Sequence, residues 1–232
     1  MPGGLCMPRV WALIPASGVG ARMGSAMAKQ YLPIAGKTIL EHTLNRIGAC
    51  PSVDKMMLAI AAKDKHFAAL DYQHPKLHQV LKGGEQRADS VRKLLQALVA
   101  IDPQAWALVH DAVRPAVKVD DIEHLVQTAA DKGHGGILAA PITDTVKQAT
   151  EDNKVANTLP RSQLWRAFTP QLFRANELLT ALENCADATD EASAIESAGG
   201  TVFLLEGSPD NLKITRPADL ALAELILAAQ AG

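Results

Sequence analysis

Aromatic residues make up only 4% of this 232-residue chain, which argues against the stacking platforms that grip single-stranded nucleic acid. No one sign of charge prevails: 23 Lys and Arg stand against 25 Asp and Glu, a formal net charge of −2. No basic field therefore favours nucleic acid as a partner. Cysteine is scarce. Cys6, Cys50 and Cys185 lie far apart with no C-x-x-C pair, and they read as free thiols of a reducing cytoplasm. The histidines show no H-E-x-x-H spacing, which argues against a histidine-rich zinc site. Lys, Asp or His interrupts every apolar run before membrane-spanning length. Met1–Pro8 has neither the basic start nor the apolar core of a signal peptide. A cytoplasmic protein without membrane or nucleic-acid partners is expected.

Apolar strand-like runs alternate with helical patterns. The strand-like runs are Val10–Pro15, Lys55–Ala61, Gln79–Lys82, Trp106–His110, Gly136–Ala140 and Thr201–Glu206. Helical patterns cover Thr38–Ile47, Arg87–Val99, Asp120–Lys132, Glu177–Glu183, Glu191–Ala198 and Ala218–Ala229. Thr38 with Glu41, and Asp120 with Glu123, have the spacing of a capping box. Thr215 is placed to cap the last helix, with Pro217 in its first turn. Such alternation predicts one α/β domain over 1–232, a mostly parallel sheet between two helical layers. Asp144–Arg161 breaks the rhythm: two extended segments flank the charged turn Glu151–Lys154. That pattern predicts a projecting β-hairpin at about 142–162. A lone hairpin is marginally stable in water, so a partner should cover it, most simply as a dimerisation arm.

The richest signal follows the first strand. In Pro15–Met23 the small residues Ala16, Ser17, Gly18 and Gly20 let backbone approach a ligand. Backbone N–H groups in such a loop hold an anion, usually phosphate. Arg22 and Lys29 add two cations. Met23 stands where the Rossmann G-x-G-x-x-G needs its last glycine, and the Walker A lysine is absent. An NAD site would need an acid about twenty positions on, at the end of the second strand; Glu41 has that spacing but falls in a helical pattern. Asp111 and Arg114 close another strand-like run on the same edge, where a carboxylate can bind Mg²⁺. His110, one residue earlier, should face away. Gly83–Ser90 opens a helix with flexible backbone and a hydroxyl, fit for reading a base edge. Near the end, Asp210 offers a second metal carboxylate and Lys213 a third cation for phosphate. Thr189–Ser193 reads as an acid-rich helix start.

Pro15–Met23 with Lys29–Leu32, Ile39–His42, Gly83–Ser90, His110–Pro115, Thr189–Ser193 and Asp210–Pro217 occur in this order. Together they resemble the 2-C-methyl-D-erythritol 4-phosphate cytidylyltransferases over about Val10 to Ala229. The resemblance implies a Rossmann-like three-layer nucleotidyltransferase that makes 4-diphosphocytidyl-2-C-methyl-D-erythritol and pyrophosphate from CTP and the sugar-alcohol phosphate, with Mg²⁺. It implies that Arg22, Lys29 and Lys213 are catalytic cations and that Asp111 and Asp210 serve the metal. It further implies that Ala16, Ser17, Gly18, Gly20, Gly84, Ser90 and Asp111 bind nucleotide, the first two and Gly84 through backbone. Arg114, Thr145, Arg161 and Lys213 would hold the sugar phosphate, Thr145 and Arg161 from the partner of a homodimer. The chain departs from the family pattern at Ala28, where proline is common, at Glu85, where aspartate is, and at Val113, where alanine is. The nearest alternative is a sister cytidylyltransferase acting on ribitol 5-phosphate; a regulatory nucleotide-binding domain would not need cations crowded at one phosphate.

Overall fold

A computed structural model describes residues 9–18, 27–185 and 187–230. β1 (Val10–Ala16) is an inner strand of a seven-stranded sheet. Its residues alternate between two cores: Val10, Ala12, Ile14 and Ala16 face one, Trp11 and Leu13 the other. A strand buried on both faces needs helices on both sides, which is why the run reads as continuously apolar. On one face lie α1 (Ile39–Ala49) and α4 (Val119–Lys132), through Leu40, Leu44, Ile47, Ile122 and Leu125. On the other lie α3 (Arg87–Ile101), α5 (Ala175–Asn184) and α6 (Glu191–Ser197), through Leu94, Leu98, Leu178 and Ile195. These are the three layers expected.

β1 pairs in parallel with β4 (Lys55–Ile60) and β6 (Trp106–Val109), and β4 with β5 (Leu77–Lys82). Beyond β6 comes β10 (Trp165–Arg174), then β7 (Gly136–Pro141) and β11 (Phe203–Glu206). β10 is antiparallel to both of its neighbours, and every other pairing in the seven-stranded sheet is parallel. The sheet is thus mostly parallel with one reversed inner strand, which the sequence pattern did not reveal. The short pair β2 (Pro33–Ile34) and β3 (Lys37–Thr38) leads into α1. The one-turn α2 (His66–Ala69) follows β4.

The expected hairpin is present as β8 (Val146–Ala149) and β9 (Val155–Leu159), antiparallel, with Val146 opposite Leu159. Asn153 takes φ 59° in its turn, a left-handed conformation that asparagine tolerates. Nearly every residue of the two strands is exposed.

Of the expected caps, Thr38 holds: its Oγ1 accepts from the Glu41 N–H while Glu41 accepts from the Thr38 N–H. The Asp120–Glu123 pair does not. α4 begins at Val119 with Lys118 as its cap, and Glu123 instead accepts from the Ser52 N–H and the Cys50 thiol. Long-range partners outbid the local one. At α7 (Pro217–Ala229) the cap position is Arg216, with Pro217 first in the helix. Thr215 donates to Asp219, which also accepts from the backbone of both Thr215 and Arg216. The capping oxygen comes from inside the helix rather than from Thr215.

Candidate active site

The strands that precede Ser17, Gly83 and Asp111 run in parallel, so all three residues leave the same carboxyl edge of the sheet, where ligands of such folds bind. As β1 closes, Gln30 donates through Nε2 to the Ala16 carbonyl at 2.7 Å. Gln30 is buried, in a 3-10 turn over Lys29–Tyr31 that Tyr31 anchors through its hydroxyl to Asp64. Ala28 enters this turn at φ −62°, an angle proline would impose, so alanine keeps the path. The turn places Lys29 opposite Ser17 and Gly18, in a pocket of about 200 Å³ that Arg87, Asp111 and Lys213 also line. Gly20 and Arg22 lie outside the described residues.

Asp111 is the hub of the pocket. Arg87 Nε reaches its Oδ1 at 2.7 Å; Lys213 Nζ and Arg114 Nε reach its Oδ2 at 2.9 and 3.4 Å. Burial alone would raise the Asp111 carboxyl, but the charges of Arg87, Lys213 and Arg114 outweigh it and hold it far below the usual carboxylate range. Arg87 in turn forks onto Glu191, at 2.7 and 3.0 Å. Burial works against its charge, yet Glu191 and Asp111 raise it above the ordinary arginine value. For Arg114, burial prevails and lowers it; its NH1 also donates to the Asn211 carbonyl at 2.6 Å.

The reversed strand β10 builds the floor of the site. Thr169 Oγ1 accepts from the Asp111 N–H at 3.0 Å and meets His110 Nδ1 at 3.1 Å. His110 is fully buried, its Nε2 3.1 Å from the Arg114 carbonyl. It does not line the pocket, as expected, and it ties down the turn carrying Asp111 and Arg114. Burial pushes its ring down to about 4. The native state thus holds it neutral while the unfolded chain protonates near 6.5. Its contribution to stability is present above pH 6.5 and is lost as pH falls toward 4, by about 3 kcal/mol in all. Urea unfolding at pH 7 and pH 4.5 checks this: His110→Gln should lose about 2 kcal/mol less than the native chain between the two. Equal losses would contradict it.

A second, larger cavity of about 690 Å³ opens on the other side of Ser17, lined by Ala61, Ala62, Gly83, Gly84 and Glu85. Ser90 is buried behind it, and its Oγ accepts the Gly84 N–H at 3.0 Å. Lys93 Nζ donates to the Gly83 carbonyl at 2.9 Å. Asp210 is not among the residues lining either cavity; its carboxylate meets Lys118 at 3.4 Å. Thr145 and Arg161 are exposed on the arm, where Arg161 donates to the Thr143 carbonyl. Neither lines either of these two cavities.

Arg87 and Glu191 are site residues that the sequence did not single out, because each opens a helix where a polar residue is unremarkable. Among the described residues no three acids, histidines or cysteines gather to hold a metal. Asp111 is the one carboxylate among the described residues that line the smaller pocket. That donor set fits a magnesium ion carried largely by phosphate oxygens and anchored through one carboxylate.

A cavity of nucleoside size joined through Ser17 to a cation-lined pocket, on the carboxyl edge of a doubly covered sheet, is the arrangement a nucleotidyltransferase needs. The model of the 2-C-methyl-D-erythritol 4-phosphate cytidylyltransferase family matches residues 10–229. The chain belongs to that family. It is 44% identical over 226 residues to the cytidylyltransferase of Vibrio parahaemolyticus, covering 95% of this chain and 96% of that one. With the Haemophilus ducreyi protein it shares 47% over 223 residues, 94% and 96% of the two chains. The crystal structure of the Francisella tularensis cytidylyltransferase superposes with a TM-score of 0.80 at 37% identity, over 94% of this chain and 99% of that one.

Proposed function

We propose that this chain transfers the cytidylyl group of CTP to 2-C-methyl-D-erythritol 4-phosphate, a step of non-mevalonate isoprenoid precursor synthesis. The carrying observation is the meeting of Lys29, Arg87 and Lys213 around Asp111, next to a cavity large enough for a nucleoside. The attacking phosphate monoester is already anionic at neutral pH, so no strong base is required. Its oxygen bonds to the α-phosphorus of CTP, the bond to the bridging oxygen breaks, and pyrophosphate leaves. Catalysis then rests on positioning and on neutralising charge. Lys29 stabilises charge on the α-phosphate, a role the family pattern gives also to Arg22, while Lys213 and Arg114 hold the sugar phosphate. The backbone of Ala16, Ser17, Gly18 and Gly84, with Ser90 behind them, receives the nucleoside. Asp111 would hold Mg²⁺, which would neutralise triphosphate oxygens, and Asp210, paired with Lys118, would supply the second carboxylate.

The exposed arm pairs two copies into a homodimer, and Thr145 and Arg161 then serve the partner's site. Support comes from the exposure of both residues and from the marginal stability of an uncovered hairpin. We place the enzyme in the cytoplasm, where Cys50 and Cys185 stay free thiols. Pyrophosphate release measured with methylerythritol phosphate and with ribitol 5-phosphate tests the substrate: strong preference for the former is expected, and chelation of divalent cations should abolish turnover. A clear ribitol preference would overturn it. Sedimentation should give a dimer, and Arg161→Ala should raise KM for the sugar phosphate at least tenfold, about the effect of losing one charge-assisted hydrogen bond.

A further inference from the structure

Ser17 and Ser90 touch, Oγ to Oγ at 2.6 Å, where the chain leaves β1 and where α3 begins. A serine hydroxyl has one proton to give and two lone pairs to accept with. Ser90 accepts from the Gly84 N–H, and the Gln86 carbonyl lies 3.2 Å away to take its proton. In the arrangement that keeps both of these bonds, the Ser17 proton fills the last place on Ser90. Ser90 is fully buried and fully used. Ser17 differs: Ser90 is its hydroxyl's one partner among the described residues, and it lines both cavities. With its proton committed, its oxygen has only lone pairs left to offer.

We propose that the Ser17 hydroxyl reads the base, accepting a hydrogen bond from the amino group at C4 of cytosine and opposing the carbonyl of uracil there. The proposal rests on a pyrimidine nucleotide being the substrate. Reversing the pair, so that Ser90 donates to Ser17, would free a proton for uracil but give up the Ser90–Gln86 bond. Gly83 keeps this corner open. A Cβ there would lie 2.6 Å from Ser17 Cβ and 2.7 Å from Ser90 Oγ. The role goes beyond the backbone contact expected of Ser17.

Turnover of CTP and UTP by Ser17→Ala, checked for an unchanged melting curve, tests the proposal. The preference in kcat/KM for CTP over UTP should fall about five- to tenfold, the effect of one hydrogen bond, mainly through loss with CTP. Ser90→Ala frees the Ser17 proton and should erode the preference by raising UTP use; if it does not fold, Ser17→Ala decides alone. A preference unchanged in Ser17→Ala overturns the proposal. Failure of the unmodified enzyme to use CTP would instead overturn the functional assignment, so the two failures are distinguishable.

Discussion

Lys29→Ala should lower kcat by about 10²–10³ while the Kd for CTP changes less than tenfold. Charge on the α-phosphate rises as the second phosphate attacks, so a fixed cation there counts for more in the transition state than in the bound triphosphate. The backbone at Lys29 is well fixed: its turn is held by Gln30 on the Ala16 carbonyl and by Tyr31 on Asp64, so only the lysine side chain has to order at the phosphate. Steady-state kinetics beside calorimetric CTP titration separate the two effects. Unchanged turnover would remove Lys29 from the mechanism, and an equal loss in both would make it a binding residue only.

Arg87→Ala should cost about 3–5 kcal/mol of stability, read as a fall in Tm of about 10 °C for a chain of this size. The arginine is shared by two carboxylates, Glu191 and Asp111, which are 1% and 5% exposed. Removing it leaves both charges buried, one wholly unpaired. It also sits at the first position of α3, where the helix dipole disfavours a cation, so the acids alone explain its presence. Replacing Arg87 and Glu191 together by methionine should cost much less than either single loss, because no charge is stranded at Glu191. A deficit that is small would show the pair to be solvated.

The layers of the fold were legible because strands buried on both faces and amphipathic helices leave different periods in the sequence. β10 was not. Pro170 and a register shift between Ala167 and Gln171 interrupt it, and a bulged strand carrying proline loses the regular alternation. The omission hid how the site is built. Thr169 on this strand supports Asp111 and His110, and Gln171 docks the start of α6, contacting Asp190 and the Ala192 N–H. That docking holds Glu191 beside Arg87. Asp111, Lys29 and Lys213 could be found because charged residues at strand ends and in glycine-rich loops have few structural reasons to be there. Arg87 and Glu191 stand at helix starts, and only their pairing over 104 positions of chain separation reveals them.

The most direct test follows the α-phosphorus of CTP. With CTP labelled at that atom and methylerythritol phosphate supplied, the label should pass into diphosphocytidyl methylerythritol in equal amount with unlabelled pyrophosphate. Label remaining in CTP or its hydrolysis products, with the sugar phosphate untouched, would contradict the account.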